Sequence, residues 1–484
     1  MIRHFINGQF VASSSDATMA KRSPVDGSLA TKVAEGGQAE VNAAVTAARN
    51  ALSDTWGILS QSQRAEILQA VAAGIERRLD EFVAAEVADT GKPVALAREM
   101  DIPRSVANFR HAVGLIANVP NELFETPTAD GAGALNYTVR RPVGVVAVVS
   151  PWNVPLLMLS SKVAPALACG NTVVVKPSEE TPRTATLLGE IMSEAGLPPG
   201  VYNVVHGRGP SSAGEYLTRH PGVNAIAFTG ETRTGATIMK AAAEGARPVL
   251  LELGGKCPAI VFADCDIDAA VAGTLRSAFL NCGQICLGTE RVYVERPIFE
   301  RFVAALASGA VALKPGRPED LGTGIGPLIS REHRDKVFSY FEQALKDGAT
   351  VVCGGGIPPM PDAIADGNWI QPTIWTGLAE SSRVLQEEIF GPCCHIAPFD
   401  TEEDVIRLAN DTPYGLAASV WSSNLARAHR VAAQLAVGVA WVNSWLLRDT
   451  RTAFGGVGQS GIGREGGAHS LAFYTETKNI CIKL

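Results

Sequence analysis

The strongest constraint on the fold is a set of short β-branched runs without polar alternation, VGVVAVVS, TVVVKPS, VYNVVHG and AIAFTG, spread between Val143 and Gly230. Strands with one face in water alternate polar and apolar residues, whereas strands apolar at every position are buried on both faces, as in parallel sheets covered by helices. Between the runs stand VPLLMLSSKVAPALA, TATLLGEIMSEAG and SAGEYLTRH, of the right length for crossover helices. A doubly wound α/β domain follows, with its ligand expected at the carboxyl ends of the strands.

A second α/β series begins near Leu253, with CPAIVF, RVYVE, ATVVCGG and VAWVNS as strands and DIDAAVAGTLRSAF, IFERFVAALASGAVAL, REHRDKVFSYFEQALKDG and DVIRLAN as helices. Upstream, HFINGQFV and LATKVAEG read as strand pieces. VNAAVTAARNAL, RAEILQAVAAGIERRL and DEFVAAEVADT carry apolar residues at helical spacing, with Gly91 placed to cap the last. The chain is helical again after Pro103, and ALNYTVRRP reads as an exposed strand. With 484 residues, 46% of them hydrophobic, there is material for more than one core. No repeat or long linker is visible, so the domains should share a broad interface with a cleft in it.

A net charge of -7 without a basic stripe argues against nucleic acid. No apolar run nears the roughly 18 to 20 residues of a bilayer span. Nine cysteines without paired spacing, behind a start that lacks a charged-then-apolar leader pattern, point to a reducing cytoplasm. The histidines take no metal-ligand spacing, and Cys393-Cys394-His395 reads as strand, so no metal is expected.

The strand ends carry the chemistry. SPWN, Ser150 to Asn153, closes the first buried strand; its Asn amide can donate to a developing oxyanion or serve only as a turn residue. KPSE, Lys176 to Glu179, closes the second. Ammonium and carboxylate together suit the hydroxyls of a ribose, and the carboxylate repels a 2′-phosphate, favouring NAD over NADP; a solvated pair beside a turn is the alternative. FTGETRTG, Phe228 to Gly235, closes the fourth strand and opens a helix at Thr232, with Gly230 and Gly235 letting backbone approach a pyrophosphate. It is not G-x-G-x-x-G, and Glu231 must point away from such a ligand.

LELGGK, Leu251 to Lys256, sets Glu252 in an apolar strand at the domain junction. Burial there raises a carboxyl pKa toward neutrality and makes a general base, unless a lysine or backbone partner satisfies the acid. EEIFGP, Glu387 to Pro392, offers Glu388 as a ribose acceptor and Phe390 as a wall for a nicotinamide ring. AFGGVGQSGIGREGG, Ala453 to Gly467, follows no buried strand and is expected to be a close-packed loop at the cleft mouth. FLNCGQICLGTER, Phe279 to Arg291, places Cys282 and Cys286 at a Gly-flanked break between helix and strand. Inward-pointing N–H groups there lower a thiol pKa and make a nucleophile; a buried, inert thiol is the alternative.

In this order and spacing, SPWN, KPSE, FTGETRTG, LELGGK, NCGQIC, EEIFGP and FGGVGQSGIGREGG resemble the aldehyde dehydrogenase superfamily over nearly the whole chain. The resemblance implies two doubly wound α/β domains plus a small β oligomerisation arm. Residues 1–119 and 143–252 would bind NAD, 253–454 would be catalytic, and 120–142 with 468–484 would form the arm of a homodimer or homotetramer. It implies Cys286 as nucleophile, Glu252 as general base, and Asn153 with the Cys286 backbone N–H as oxyanion hole. Ser150, Trp152, Lys176, Ser178, Glu179, Gly209, Phe228, Gly230, Gly235, Leu253, Glu388 and Phe390 would hold NAD. In that scheme the Cys286 thiolate adds to an aldehyde, a hydride passes to the nicotinamide, and Glu252 activates water against the thioester. Cys282 would pack beneath the site, with a reversible oxidative partnership with Cys286 as the alternative. Glu231, where Ser is frequent, and Cys257, where a small polar residue is frequent, depart from the pattern.

More narrowly, TGKP at Thr90, DIPR at Asp101, DGAGALNY at Asp130, CLGTERVYVERPIF at Cys286 and WLLRDTRTAFGG at Trp445 resemble the members that oxidise 2-hydroxymuconate or 2-aminomuconate semialdehyde in aromatic ring cleavage. Such substrates carry a carboxylate remote from the aldehyde, for which arginine is the natural clamp. The resemblance puts Arg104, Arg448, Trp445 and Phe454 at the substrate tunnel. A general or betaine-type enzyme, indifferent to the remote carboxylate, is the rival reading. Glu252 disfavours a CoA-acylating relative, and the intact Cys286, Glu252 and Asn153 disfavour a non-catalytic binding homologue.

Overall fold

The computed structural model describes residues 1–484. The buried runs pair as their composition requires. Tyr202–Val204, Thr172–Lys176, Val145–Val149, Ala225–Thr229 and Val249–Glu252 lie side by side and parallel. Numbered along the chain, their spatial order is 3-2-1-4-5, so the order reverses between Val145–Val149 and Ala225–Thr229. Side chains alternate across this sheet into two cores. Val146 and Val148 join Phe109 and Leu159 on one face, and Val145, Ala147 and Val149 join Val41 and Ile238 on the other.

His4–Ile6 and Gln9–Val11 form an antiparallel edge on one side, and Gly461–Ile462 forms the other beside Glu252. This corrects the reading of Ala453 to Gly467 as loop alone, since it contains the short strands Val457–Gly458 and Gly461–Ile462, the second of which completes the first sheet. Only glycine fits at 461, where φ is +146° and a β-carbon would lie 2.2 Å from the Leu251 carbonyl oxygen.

In a second sheet, Cys393–Phe399, Thr289–Glu295, Cys257–Val261, Ala417–Trp421 and Val439–Val442 run parallel in the same 3-2-1-4-5 order. Thr373–Thr376 and the antiparallel Thr350–Cys353 extend it. Cys393-Cys394-His395 is strand, as read from the sequence. The chain passes from Glu252 to Cys257 through Gly254 and Gly255, so the carboxyl edge of the first sheet meets the amino edge of the second. A third, largely exposed sheet pairs Thr475–Lys483 with Ala134–Pro142 over nine residues, bordered by Leu123–Thr126. No helix is long and apolar enough to cross a membrane.

Candidate active site

Asn153 stands just beyond the carboxyl end of Val145–Val149, and the cysteine stretch approaches it from the second sheet. The helix Ile267–Phe279 ends at a tight turn in which Asn281, Cys282 and Gly283 all take left-handed backbone, φ +53°, +58° and +68°. Left-handed backbone at two non-glycine residues costs on the order of 1 kcal/mol or more each. The turn turns the chain back towards the first sheet: Asn153 Nδ2 donates to the Gln284 carbonyl at 2.9 Å, and Asn281 Nδ2 donates to the Asn153 carbonyl at 3.0 Å. Gly283 is pressed on the EEIFGP segment, where a β-carbon would meet the Gly391 carbonyl at 2.0 Å.

Cys286 is partly open to the cleft and faces Glu252. Glu252 is buried, and neither carboxylate oxygen has a hydrogen-bond partner. Burial lifts its pKa to about 7, while Cys286 and Lys162 pull it partly back; Lys162 is itself paired with Glu465 behind the acid. The expected lowering of the Cys286 pKa does not hold. Burial and the facing Glu252 charge hold the thiol well above its ordinary value, so it is a thiol with a base beside it.

The two other nearby cysteines separate. Cys282 is buried in the apolar cluster around Val337, Tyr340 and Cys393, as read from the sequence. The thiol that touches the Cys286 backbone is Cys257, whose Sγ donates to the Cys286 carbonyl at 3.5 Å and whose pKa burial lifts to about 12.

The other proposed cofactor residues surround the point where the first sheet reverses. Ser150 donates its N–H to the Lys176 carbonyl at 3.2 Å, and Lys176 Nζ pairs with Glu179 at 3.0 Å, the ammonium buried and the carboxylate partly exposed. Burial would raise the Glu179 carboxyl, but Lys176 outweighs it and holds the pKa below normal. Ser178 caps the turn through Glu180 N–H, and Gly209 faces open space. Gly230 and Gly235 have a packing reason unforeseen in the sequence, as β-carbons there would lie 2.5 Å from the Phe228 ring and from Leu253. The helix Thr232–Ala243 begins at Glu231 with no side-chain cap, leaving its first N–H groups free for an anion, while Glu231 turns to Arg233 at the surface. The chemistry of this edge suits a dinucleotide, with uncapped N–H donors for phosphates at one strand end and a Lys–Glu pair for hydroxyls at another.

Deeper in the cleft, Trp152 packs edge-on against Phe390 at 5.3 Å and His333 at 5.0 Å, and His333 Nε2 meets the Phe390 carbonyl at 2.8 Å. Glu388 turns inward and accepts the Gly255 N–H at 2.8 Å. Burial and the nearby Glu290 lift its pKa to about 8, partly offset by that N–H.

Arg104 stands in the first turn of the helix Ile102–Ala117, and Arg448 lies within the field of Arg104, Glu252 and Cys286. Arg448 sits 4.0 Å over the Phe454 ring, its Nε buried without a partner. Burial depresses both guanidinium pKa values, and Arg448 feels Glu465 most among its charged neighbours, then Arg104, Glu252 and Cys286. Neither arginine forms an ion pair. Trp445 is buried, with its indole N–H on the Leu287 carbonyl at 3.0 Å.

Three residues here were missed in the sequence. Arg276 lies over Trp445 at 5.8 Å, and His111, beside Arg448 and Asp449, has Nε2 buried and unpartnered. Lys92, buried, donates to the Asn153 carbonyl at 3.0 Å. Arg276 and His111 lie on ordinary amphipathic helices with no motif to mark them. Lys92 was inside the quoted TGKP, where a buried lysine next to a proline turn was the available signal.

The chain matches the aldehyde dehydrogenase family over residues 10–480. It is 63% identical over 483 residues to a 2-hydroxymuconic semialdehyde dehydrogenase of Pseudomonas sp. (strain CF600), covering 100% of this chain and 99% of that one. It is 55% identical to a 2-aminomuconic 6-semialdehyde dehydrogenase of Pseudomonas sp., covering 100% and 98%. A solved NAD+ complex of an aldehyde dehydrogenase from Bacillus cereus superposes with a TM-score of 0.96 at 38% identity, over 100% of this chain and 96% of that one. With cysteine, acid and amide converging between two reversed α/β sheets, the chain belongs to the aldehyde dehydrogenase family.

Proposed function

We propose that the chain oxidises a muconate-type semialdehyde to the dicarboxylic acid with NAD, and that the 2-hydroxy substrate is preferred to the 2-amino one. Support for the last point is the greater identity to the hydroxymuconic relative. The observation that carries the substrate class is the pair Arg104 and Arg448, two arginines close enough to repel one another, on the tunnel side of Cys286, with no acid paired to either. An uncharged aldehyde leaves both unpaired; a carboxylate at the far end of the substrate takes charge-assisted bonds from both.

At the near end, Cys286 adds to the aldehyde carbon and its proton passes to Glu252, whose pKa near neutrality suits both taking and giving a proton. One Asn153 amide hydrogen is engaged with Gln284, and the other serves the oxyanion. NAD supplies the hydride acceptor when bound. Lys176 and Glu179 would hold its ribose and the start of the helix at Thr232 its phosphates, and Trp152 and Phe390 would wall the ring. Glu252 gives the cysteine's proton up to solvent and, a carboxylate again, takes a proton from the water that attacks the Cys286 thioester; the acid departs and the sulfur recovers a proton from Glu252. Leu123 and Phe124, exposed at the border of the third sheet, support self-association into a dimer or tetramer through that sheet, and the proposed setting is the cytoplasm. Steady-state assays with 2-hydroxymuconate semialdehyde, its 2-amino analogue and an uncharged aldehyde of similar length test the proposal. Equal kcat/KM for charged and uncharged substrates would sink it.

A further inference from the structure

Lys92 connects Asn153 to the segment that leads into Arg104. Its buried ammonium donates to Asp101 Oδ2, to Glu86 Oε1 at 3.2 Å and to the Asn153 carbonyl at 3.0 Å. Asp101 closes a π-helical turn, Ala97–Asp101, that runs directly into the helix bearing Arg104. Residues three apart are neighbours on a helix surface, so Asp101 is the natural ion-pair partner of Arg104. The two nevertheless form no salt bridge. The Asp101 oxygen not taken by Lys92, Oδ1, is buried without any partner, although the carboxylate's field reaches Arg104.

We propose that Lys92 is a specificity-determining residue: by occupying Asp101 it keeps the Arg104 guanidinium free for the substrate carboxylate, while the same ammonium holds the carbonyl of the oxyanion-hole Asn153. The inference rests on Arg104 being a carboxylate clamp. Without Lys92, a cation already within the field of the buried Asp101 is Arg104, three residues on along the helix, and a buried carboxylate is strongly driven to find one. Arg104 would then turn inward, and the tunnel would lose a clamp with no residue of the tunnel altered. Burial alone would lower the Lys92 pKa, but Asp101 and Glu86 outweigh it, so the ammonium stays charged. Burial raises the Glu86 pKa against the pull of Lys92.

The test reads the preference ratio, kcat/KM for a carboxylate-bearing semialdehyde over that for an uncharged aldehyde, which does not depend on how much of a preparation is active. Lys92→Met is expected to lower the ratio at least tenfold. Adding Asp101→Asn, which removes the competing acid, is expected to restore it to within about threefold of the unaltered enzyme. Should Lys92→Met not fold, Lys92→Gln, which keeps a neutral donor towards Asn153, reads the same loss and the same rescue. An unchanged ratio, or a loss that Asp101→Asn does not repair, overturns the inference. Arg104→Ala separates the two layers. If it leaves the ratio unchanged, the clamp itself is wrong; if it collapses the ratio while Lys92→Met does not, only the role of Lys92 is wrong.

Discussion

Arg448→Met is the most informative single change at the tunnel, because it should move stability and selectivity in opposite directions. Met keeps apolar cover on the Phe454 ring, which the guanidinium now overlies at 4.0 Å, and removes both the charge and the unpartnered Nε. A buried polar group without a partner costs about 1–3 kcal/mol, and repulsion from Arg104 adds to it while the fields of Glu465 and Glu252 offset part of it. The variant should therefore melt at or above the Tm of the unaltered chain. With substrate bound the balance reverses. Losing a charge-assisted bond and leaving a carboxylate half-paired in a tunnel costs about 2–4 kcal/mol, which is roughly a 30- to 1000-fold fall in kcat/KM. An uncharged aldehyde never makes that bond, so its kcat/KM should change less than about threefold. Initial rates of NADH formation with both substrates, beside a thermal melt without substrate, complete the experiment. Equal losses on the two aldehydes, or a clear drop in Tm with selectivity intact, would refute the reasoning.

Further expectations rest on separate observations. With the Glu252 pKa at about 7, kcat should fall as pH drops below neutrality, because the protonated acid can no longer take the proton of Cys286 or of water; a flat profile from pH 6 to 8 would contradict this assignment. The same acid weakens the fold as pH rises. Its folded pKa is raised, so the unfolded chain gives up the proton first, and the penalty builds from about pH 4.5 to 7, reaching on the order of 3 kcal/mol. Glu252→Gln should thus raise Tm at pH 8 and leave it nearly unchanged at pH 4, while abolishing turnover. Asn153→Ala should lower kcat about 100- to 1000-fold with little change in KM, as loss of an oxyanion donor does; a change confined to KM would assign Asn153 to binding instead. Glu179→Ser should raise kcat/KM for NADP relative to NAD at least tenfold, and an unchanged ratio would remove Glu179 from the ribose.

What could be read in the sequence was what local chemistry dictates. Uniformly apolar runs announced parallel strands, and the residues closing them announced a site, because both are properties of consecutive residues. The convergence of Arg104 with Arg448 came through family resemblance and not through any local pattern, since more than 300 residues of chain separate them and pairing is a tertiary event. Three features had no local signal. The Gly461–Ile462 edge strand is two residues long and is fixed by the backbone of Leu251 and Glu252. The cysteine pKa depends on a facing carboxylate contributed by another sheet. The glycines of FTGETRTG were legible as glycines, but what they accommodate in this chain is Phe228 and Leu253, which only packing reveals.

The two sheets share one strand order, yet only one of them has its reversal point open, and the difference lies in four helix starts. In the first sheet the helices at the reversal, Pro155–Ala168 and Thr232–Ala243, begin at Val154 and Glu231 without a side-chain cap, and Glu86 reaches only Leu156 N–H at a long 3.5 Å. In the second, Asp266 caps Ile267–Phe279 through Ala269 N–H, and Asn424 caps Leu425–Gln434 through Arg427 N–H, each at 3.1 Å. Asp264 then fills the gap between them, accepting from Ser422 Oγ at 2.9 Å and Arg427 Nη1 at 3.0 Å. An anion arriving there would meet a carboxylate and donors already engaged, whereas at the first reversal the donors are unspent. This contrast is written in the sequence as DCDID and SSNLAR against NVPLL and GETRTG. The second sheet instead contributes through its amino edge, where the loop before Thr289 carries Cys286 to the acid at the end of Val249–Glu252. The same topology used twice therefore gives one edge whose helix starts are uncapped and one edge that brings Cys286 to Glu252, and the caps mark which is which.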